Sequence, residues 1–203
     1  MTMLVHWDKA IEQLNKKDKI ISKIISQYPN ERMVMKNNSL HTLVRSIVGQ
    51  QISVKAADAI WNRLEKACNY KVTEKNILKF DKTELREIGL SNTKADYIFN
   101  VVNADITKND WEGMSDDEII SKLCEIKGIG PWTAEMFLIF RLGRENILPL
   151  GDIGLVNAIN LHYNNKEKFS KSELIKFKEK WSPWCSIATW YMWRSLDPIP
   201  VEY

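Results

Sequence analysis

Residues 123–152 read L-C-E-I-K-G-I-G-P-W-T-A-E-M-F-L-I-F-R-L-G-R-E-N-I-L-P-L-G-D, and this run decides how the rest of the chain is read. Apolar residues at helical spacing run to near Glu125 and resume at Pro131, with K-G-I-G between them. That is a helix-hairpin-helix signature. Gly128 and Gly130 permit positive φ and carry no Cβ, so the hairpin can press its amides against something large and flat. Pro131 suits the first helical position, where a missing N–H costs nothing. The second helix therefore starts with unsatisfied N–H groups and a positive dipole end, a ready site for a backbone phosphate. The same residues fit an αα-hairpin packed on its neighbours, because such motifs recur among unrelated functions.

Two further stretches bear on that choice. Downstream, residues 148–155 read L-P-L-G-D-I-G-L, with Asp152 twenty positions after Trp132. An Asp that follows Gly and precedes a helix is either an N-cap or a carboxylate displayed for chemistry. Upstream, residues 47–53 read I-V-G-Q-Q-I-S between two helical patterns. Gln50 and Gln51 there fit a solvated turn, or a wedge whose long side chains fill the gap left by a base drawn out of a duplex.

At 203 residues the chain can bury a substantial core as one domain or two small lobes. A net charge of +3 is compatible with nucleic acid and identifies nothing alone. Cys68, Cys124 and Cys185 are odd in number and far apart, so neither a disulfide framework nor a zinc cluster follows, and a reducing cytoplasm is the natural compartment. His6, His41 and His162 lack metal-ligand spacing and read as surface or capping residues. The charged, periodic N-terminus is unlike a signal segment, and no apolar run reaches the length of a membrane span. Eight tryptophans are a heavy load, and four lie within residues 181–193, as a core or a pocket wall; Trp181, Trp184 and Trp190 read as core.

Helical spacing recurs along the whole chain. Ile11, Leu14, Ile20, Ile21, Ile24 and Ile25 mark two helices with Asp18 as the cap between them. Ser39 is expected to cap a helix over residues 40–50, and Ser53 the next. Short helices follow around 73–79 and 81–88, the latter stopped by Gly89, and Ser91 opens another. Ser115 with Glu118 and Ser170 with Glu173 make capping boxes. Pro183 is placed as the first residue of a last helix ending at Arg194. Strand-period alternation and repeats are absent, so the fold class is all-α.

Taken together, G-I-G-P-W-T-A, L-P-L-G-D-I-G-L and I-V-G-Q-Q-I-S, in that family's order over residues 40–193, make the chain resemble the helix-hairpin-helix DNA glycosylases, within them the 3-methyladenine DNA glycosylase II type. The resemblance implies two lobes: a central bundle over 36–142, and a second lobe from 1–35 and 143–203, with Asp152 at the mouth of the cleft between them. It implies that Asp152 is catalytic, stabilising an oxocarbenium-like sugar or orienting water. Trp132, Met136 and Trp193 would line the base pocket, although Met136 and Arg194 replace aromatic residues of a type member. Gln51 falls at the wedge, with Gln50 beside it. Lys127, Gly128 and Gly130 would meet phosphates, and the carbonyls of Cys124, Ile126 and Ile129 match a site for a monovalent or light cation.

Trp132 stands where bifunctional relatives carry a nucleophilic lysine, so the implied reaction is plain hydrolysis to an abasic site. An indole there would stack best on an electron-poor or cationic base, such as a purine alkylated at N3 or N7. No cofactor is required, and the four closely spaced cysteines of iron–sulfur relatives are missing. The expected function is a monofunctional glycosylase that flips 3-methyladenine-type purines from damaged double-stranded DNA in base excision repair. It is expected as a monomer in the cytoplasm, at the nucleoid in a bacterium or in the nucleus of a eukaryote. The competing readings are a non-catalytic helix-hairpin-helix DNA-binding protein, which would not need Asp152, and a glycosylase for deaminated bases.

Overall fold

A computed structural model describes residues 4–36 and 38–197. In chain order the helices are α1 (Trp7–Lys17), α2 (Lys19–Ile25), α3 (Ser39–Gly49), α4 (Val54–Ala67), α5 (Glu74–Ile77), α6 (Lys82–Glu87), α7 (Asn92–Asn103), α8 (Asp116–Cys124), α9 (Pro131–Phe140), α10 (Ile153–Tyr163), α11 (Lys171–Trp181) and α12 (Cys185–Arg194). A 3-10 turn, Ile106–Lys108, follows α7, and no β-strand occurs among the described residues. The molecule is all-α. It splits into two compact units, one from Met1–Met35 and Gly143–Glu202, the other from Lys36–Leu142.

In the Lys36–Leu142 unit, side-chain caps set most helix starts. Ser53 accepts from the Ala56 N–H and Ser91 from the Lys94 N–H. Ser115 and Glu118 form the expected capping box, and Asp81 with Glu84 forms another. At α3 the cap is Asn38, whose side chain accepts from the His41 N–H, and Ser39 is the first helical residue. Asparagine caps as well as serine, so two adjacent candidates left the start ambiguous by one position. The core gathers Leu43, Val44, Ile47, Leu64, Ile98, Val101 and Phe137, all fully buried. Trp111 meets Phe137 edge-on at 5.3 Å and gives its indole N–H to the Ile106 carbonyl at 2.9 Å.

In the other unit, buried Asp18 ends α1 and caps α2 through the Ile20 and Ile21 N–H groups. Its second oxygen accepts from Tyr163 Oη at 2.6 Å and Trp181 Nε1 at 3.0 Å, with Lys180 Nζ at 3.2 Å. These bonds tie α2, α10 and α11 together. Trp7, Trp190 and Tyr191 stack edge-on or tilted at 4.9–5.7 Å between α1 and α12. Trp181, Trp184 and Trp190 are core residues, and Trp184 gives its N–H to Gln13 at 2.8 Å. Helix α12 starts at Cys185, two residues after Pro183, which lies in the turn from α11. Proline suits that turn as well as a first helical position, so composition alone did not separate the two.

Candidate functional site

The turn that carries Asp152 is closed by two backbone bonds, Leu150 N–H to the Leu148 carbonyl and Asp152 N–H to the Pro149 carbonyl, both 2.9 Å. Asp152 is the N-cap of α10, and its Oδ1 accepts the Leu155 N–H at 2.6 Å. The same oxygen accepts Trp193 Nε1–H from α12 at 2.8 Å. Capping and display are therefore compatible, since two donors from different elements fix the rotamer. Gly154 makes room for this: a Cβ there would stand 3.1 Å from Asp152 Oδ1 and 3.5 Å from the Trp193 ring. Arg194, next along α12, is committed elsewhere. It meets Glu31 at 2.5 and 2.8 Å and lies over the Tyr28 ring at 4.2 Å. That hydrogen-bonded guanidinium holds the Glu31 carboxyl below its ordinary value.

In the other unit, α8, the six residues 125–130 and α9 form the predicted helix-hairpin-helix. Only one of its glycines has positive φ. Gly128 sits at φ +108°, where a Cβ would also collide with the Tyr97 side chain at 2.2 Å. Gly130 is extended (φ −104°, ψ 177°), a conformation open to any residue, so the positive-φ argument does not apply there. What Gly130 provides is space, since a Cβ on it would meet nothing within 4 Å. As N-cap of α9 it supplies no side-chain bond, and Pro131 follows at the first helical position. Among the described residues, neither Gly128 nor Gly130 gives its N–H to a backbone carbonyl. Lys127 is exposed beside them.

The remaining expected residues fall into different settings. Trp132 is partly exposed on the first turn of α9. Met136, one turn further, is fully buried, as on a helix that is apolar all round. Gln51 is exposed at φ +57°, a conformation that costs a non-glycine residue energy and is often kept for function. Gln50 turns its side-chain amide toward the hairpin. Its Nε2 donates to the Gly128 carbonyl at 3.1 Å and Thr133 Oγ1 at 3.0 Å, so its amide protons serve the hairpin. Of the carbonyls expected to face a cation, Ile126 accepts the Ile129 N–H at 3.0 Å and keeps a second lone pair. Those of Cys124 and Ile129 accept no backbone N–H among the described residues.

Sequence reasoning missed Gly154, Thr133 and a line of residues on α7. Lys94 Nζ donates to the Val48 carbonyl at 2.8 Å, Tyr97 lies under Gly128, and Asn100 Nδ2 donates to the Lys127 carbonyl at 2.9 Å. Their spacing of three marks one helix face, a signal that was present and was read only for its apolar neighbours. Burial raises the Cys68 and Cys124 thiols and pushes Cys185 up to about 11, which removes them as ready nucleophiles. Among the described residues no group of three His, Cys, Asp or Glu side chains could hold a metal, and no helix is long and apolar enough to cross a membrane.

Comparison with known proteins adds to this geometry. Residues 44–183 match the model of the HhH-GPD superfamily base excision DNA repair proteins. The chain is 31% identical over 202 residues to the DNA-3-methyladenine glycosylase 1 of Schizosaccharomyces pombe, covering 96% of this chain and 89% of that protein. A Bacillus subtilis relative is 30% identical over 87% of this chain, which spans 66% of that relative's length. Among solved structures, the S. pombe 3-methyladenine DNA glycosylase Mag1 in complex with abasic DNA superposes with a TM-score of 0.83 at 31% identity, covering 92% of this chain and 96% of that one.

Proposed function

The chain belongs to the HhH-GPD superfamily of base excision DNA repair proteins, and from that membership we propose that it is a monofunctional DNA glycosylase that removes alkylated purines of the 3-methyladenine type from duplex DNA. The observation that carries the chemistry is the Asp152 carboxylate, held by the Leu155 N–H and the Trp193 indole. N-Glycosidic bonds break through an oxocarbenium-like sugar, and a fixed carboxylate near that charge is the main catalytic need. A purine alkylated at N3 or N7 is already cationic. It takes the electrons of the C1′–N bond and leaves as a neutral base, so no protonating acid is required. Asp152 then stabilises the sugar cation until water adds to C1′ and gives a proton to solvent, leaving an abasic site.

The hairpin amides, Lys127 and the open face of Gly130 support phosphate binding, and exposed Gln51 supports filling of the vacated stack. Trp132 supports stacking on the extruded base, and the absence of lysine there supports hydrolysis without strand cleavage. The carbonyls of Cys124, Ile126 and Ile129 suit a hard monovalent cation, which would add positive charge beside a phosphate; the chemistry needs no other cofactor. We assign action as a monomer on damaged duplexes in the compartment that holds the DNA. The test is base release from duplexes carrying methylated, deaminated, ethenoadenine or oxidised bases. Methylated purines should be released, leaving alkali-labile strands that are not nicked. Release of no base, with DNA binding intact, would favour the non-catalytic binding protein.

A further inference from the structure

We propose that Gln50 is a positioning residue that locks the loop carrying Gln51 onto the hairpin, so that wedge and phosphate grip engage DNA as one rigid edge; this rests on the glycosylase reading above. Gln50 is the C-cap of α3, immediately before the exposed, positive-φ Gln51. Both protons of its side-chain amide are used, on the Gly128 carbonyl at 3.1 Å and Thr133 Oγ1 at 3.0 Å, partners 78 and 83 positions away. Thr133 is buried on the first turn of α9, so the bond reaches the rigid end of the hairpin. The two acceptors flank residues 129–132, and one glutamine thus spans the turn.

Helix α7 supports both partners from below. Lys94 holds the last turn of α3 through the Val48 carbonyl, Tyr97 underlies Gly128, and Asn100 holds the Lys127 carbonyl. A trans peptide points its C=O and N–H in opposite directions. Drawing the Lys127 carbonyl inward to Asn100 therefore turns the Gly128 N–H outward, away from α7. The network that orders the hairpin also aims an amide, and Gln50 joins that network to the wedge. Ordering two segments in advance lowers the entropic cost of inserting one of them when the other binds.

Gln50→Met keeps length and volume and removes both donors, and Gln50→Glu keeps the shape with an acceptor-only end. Insertion is read by 2-aminopurine fluorescence next to an abasic-site analogue, which needs no base release, and excision is read by single turnover on a methylated duplex. Thermal melting confirms that each variant is folded. Either substitution should cut the insertion signal and the excision rate by about 10-fold, as expected for two neutral hydrogen bonds, and change the Kd for undamaged duplex by less than about 3-fold. In a Gln51→Ala background the same substitutions should cost less than about 2-fold, because coupled residues are not additive. Equal losses with and without Gln51, or unchanged insertion in a folded Gln50→Met, would overturn the brace. A wild type that inserts into the abasic analogue and releases no base would overturn the glycosylase reading and leave the brace standing.

Discussion

Asp152 performs two tasks with one side chain, capping α10 and presenting a carboxylate, and this makes asparagine the informative substitution. Asparagine keeps an oxygen for the Leu155 and Trp193 donors, whereas alanine would also forfeit about 1 kcal/mol of cap. Asp152→Asn should melt near wild type and bind DNA normally. Its single-turnover excision should fall at least about 100-fold, for the loss of about 3 kcal/mol of cation stabilisation. Excision within a few-fold of wild type would remove Asp152 from the chemistry. At Trp132 the expected role is stacking, so Trp132→Ala should lose about 1–3 kcal/mol of base binding. The loss should be larger for cationic 3-methyladenine than for neutral hypoxanthine, measured as kcat/KM on each, because a cation also draws on the ring quadrupole. Borohydride should trap no covalent complex with wild type. The place of Asp152 as the cap of α10 was legible because Gly, Asp and a following helix restrict each other locally. The full burial of Met136 was not, because apolar residues on all sides of α9 give no face to read.

Helix starts were legible to within a residue wherever Ser or Thr stood alone before an apolar pattern, and unclear where two capping residues or a proline turn competed, as at Asn38 and Pro183. The hairpin was read correctly as an element and incompletely as a backbone, because only coordinates show that Gly128 needs its φ and Gly130 needs its emptiness. Gly130→Val should therefore fold with an ordinary melting temperature and weaken damaged and undamaged duplexes alike, read by anisotropy; normal binding in a folded variant would make the hairpin structural. His41, read as a surface or capping residue, has a largely buried side chain. It packs edge-on against Trp61 of α4 at 4.7 Å, and burial first, then Lys36 and Arg45, lowers its pKa to about 4. Glu65, 3.7 Å from Nε2, pulls the other way and is partly solvated, so burial and the two cations prevail. A histidine whose folded pKa is depressed contributes stability that is full above its unfolded value, near 6.5, and fades as pH falls toward about 4. Urea midpoints should drop across that window, and His41→Gln should flatten the drop.

At the scale of the whole chain, the two units could be drawn from sequence only through resemblance, because nothing in composition marks residue 36 or 142 as a boundary. Distant ends of a chain that pack into one unit leave no local trace; the partners of Asp18 lie 145 and 163 positions away. Net charge is equally silent about where DNA binds, since +3 spread over 29 basic and 26 acidic residues is almost balance. The grip argued here is narrow, made of hairpin amides and Lys127 rather than a broad basic face. A narrow grip neutralises few phosphates, so log Kobs against log salt should be linear with a slope of about −2 to −4, from roughly two to four phosphates at about 0.9 each. Lys127→Ala should make that slope shallower by about 1 and weaken lesion and undamaged duplexes by the same factor, because a phosphate contact carries no base information. Titrations from low to physiological salt would check both. A slope steeper than about −7 would mean that a wider basic surface dominates. A slope near zero, with binding intact, would mean that the hairpin is not held to phosphate, and the backbone-amide argument would fail with it.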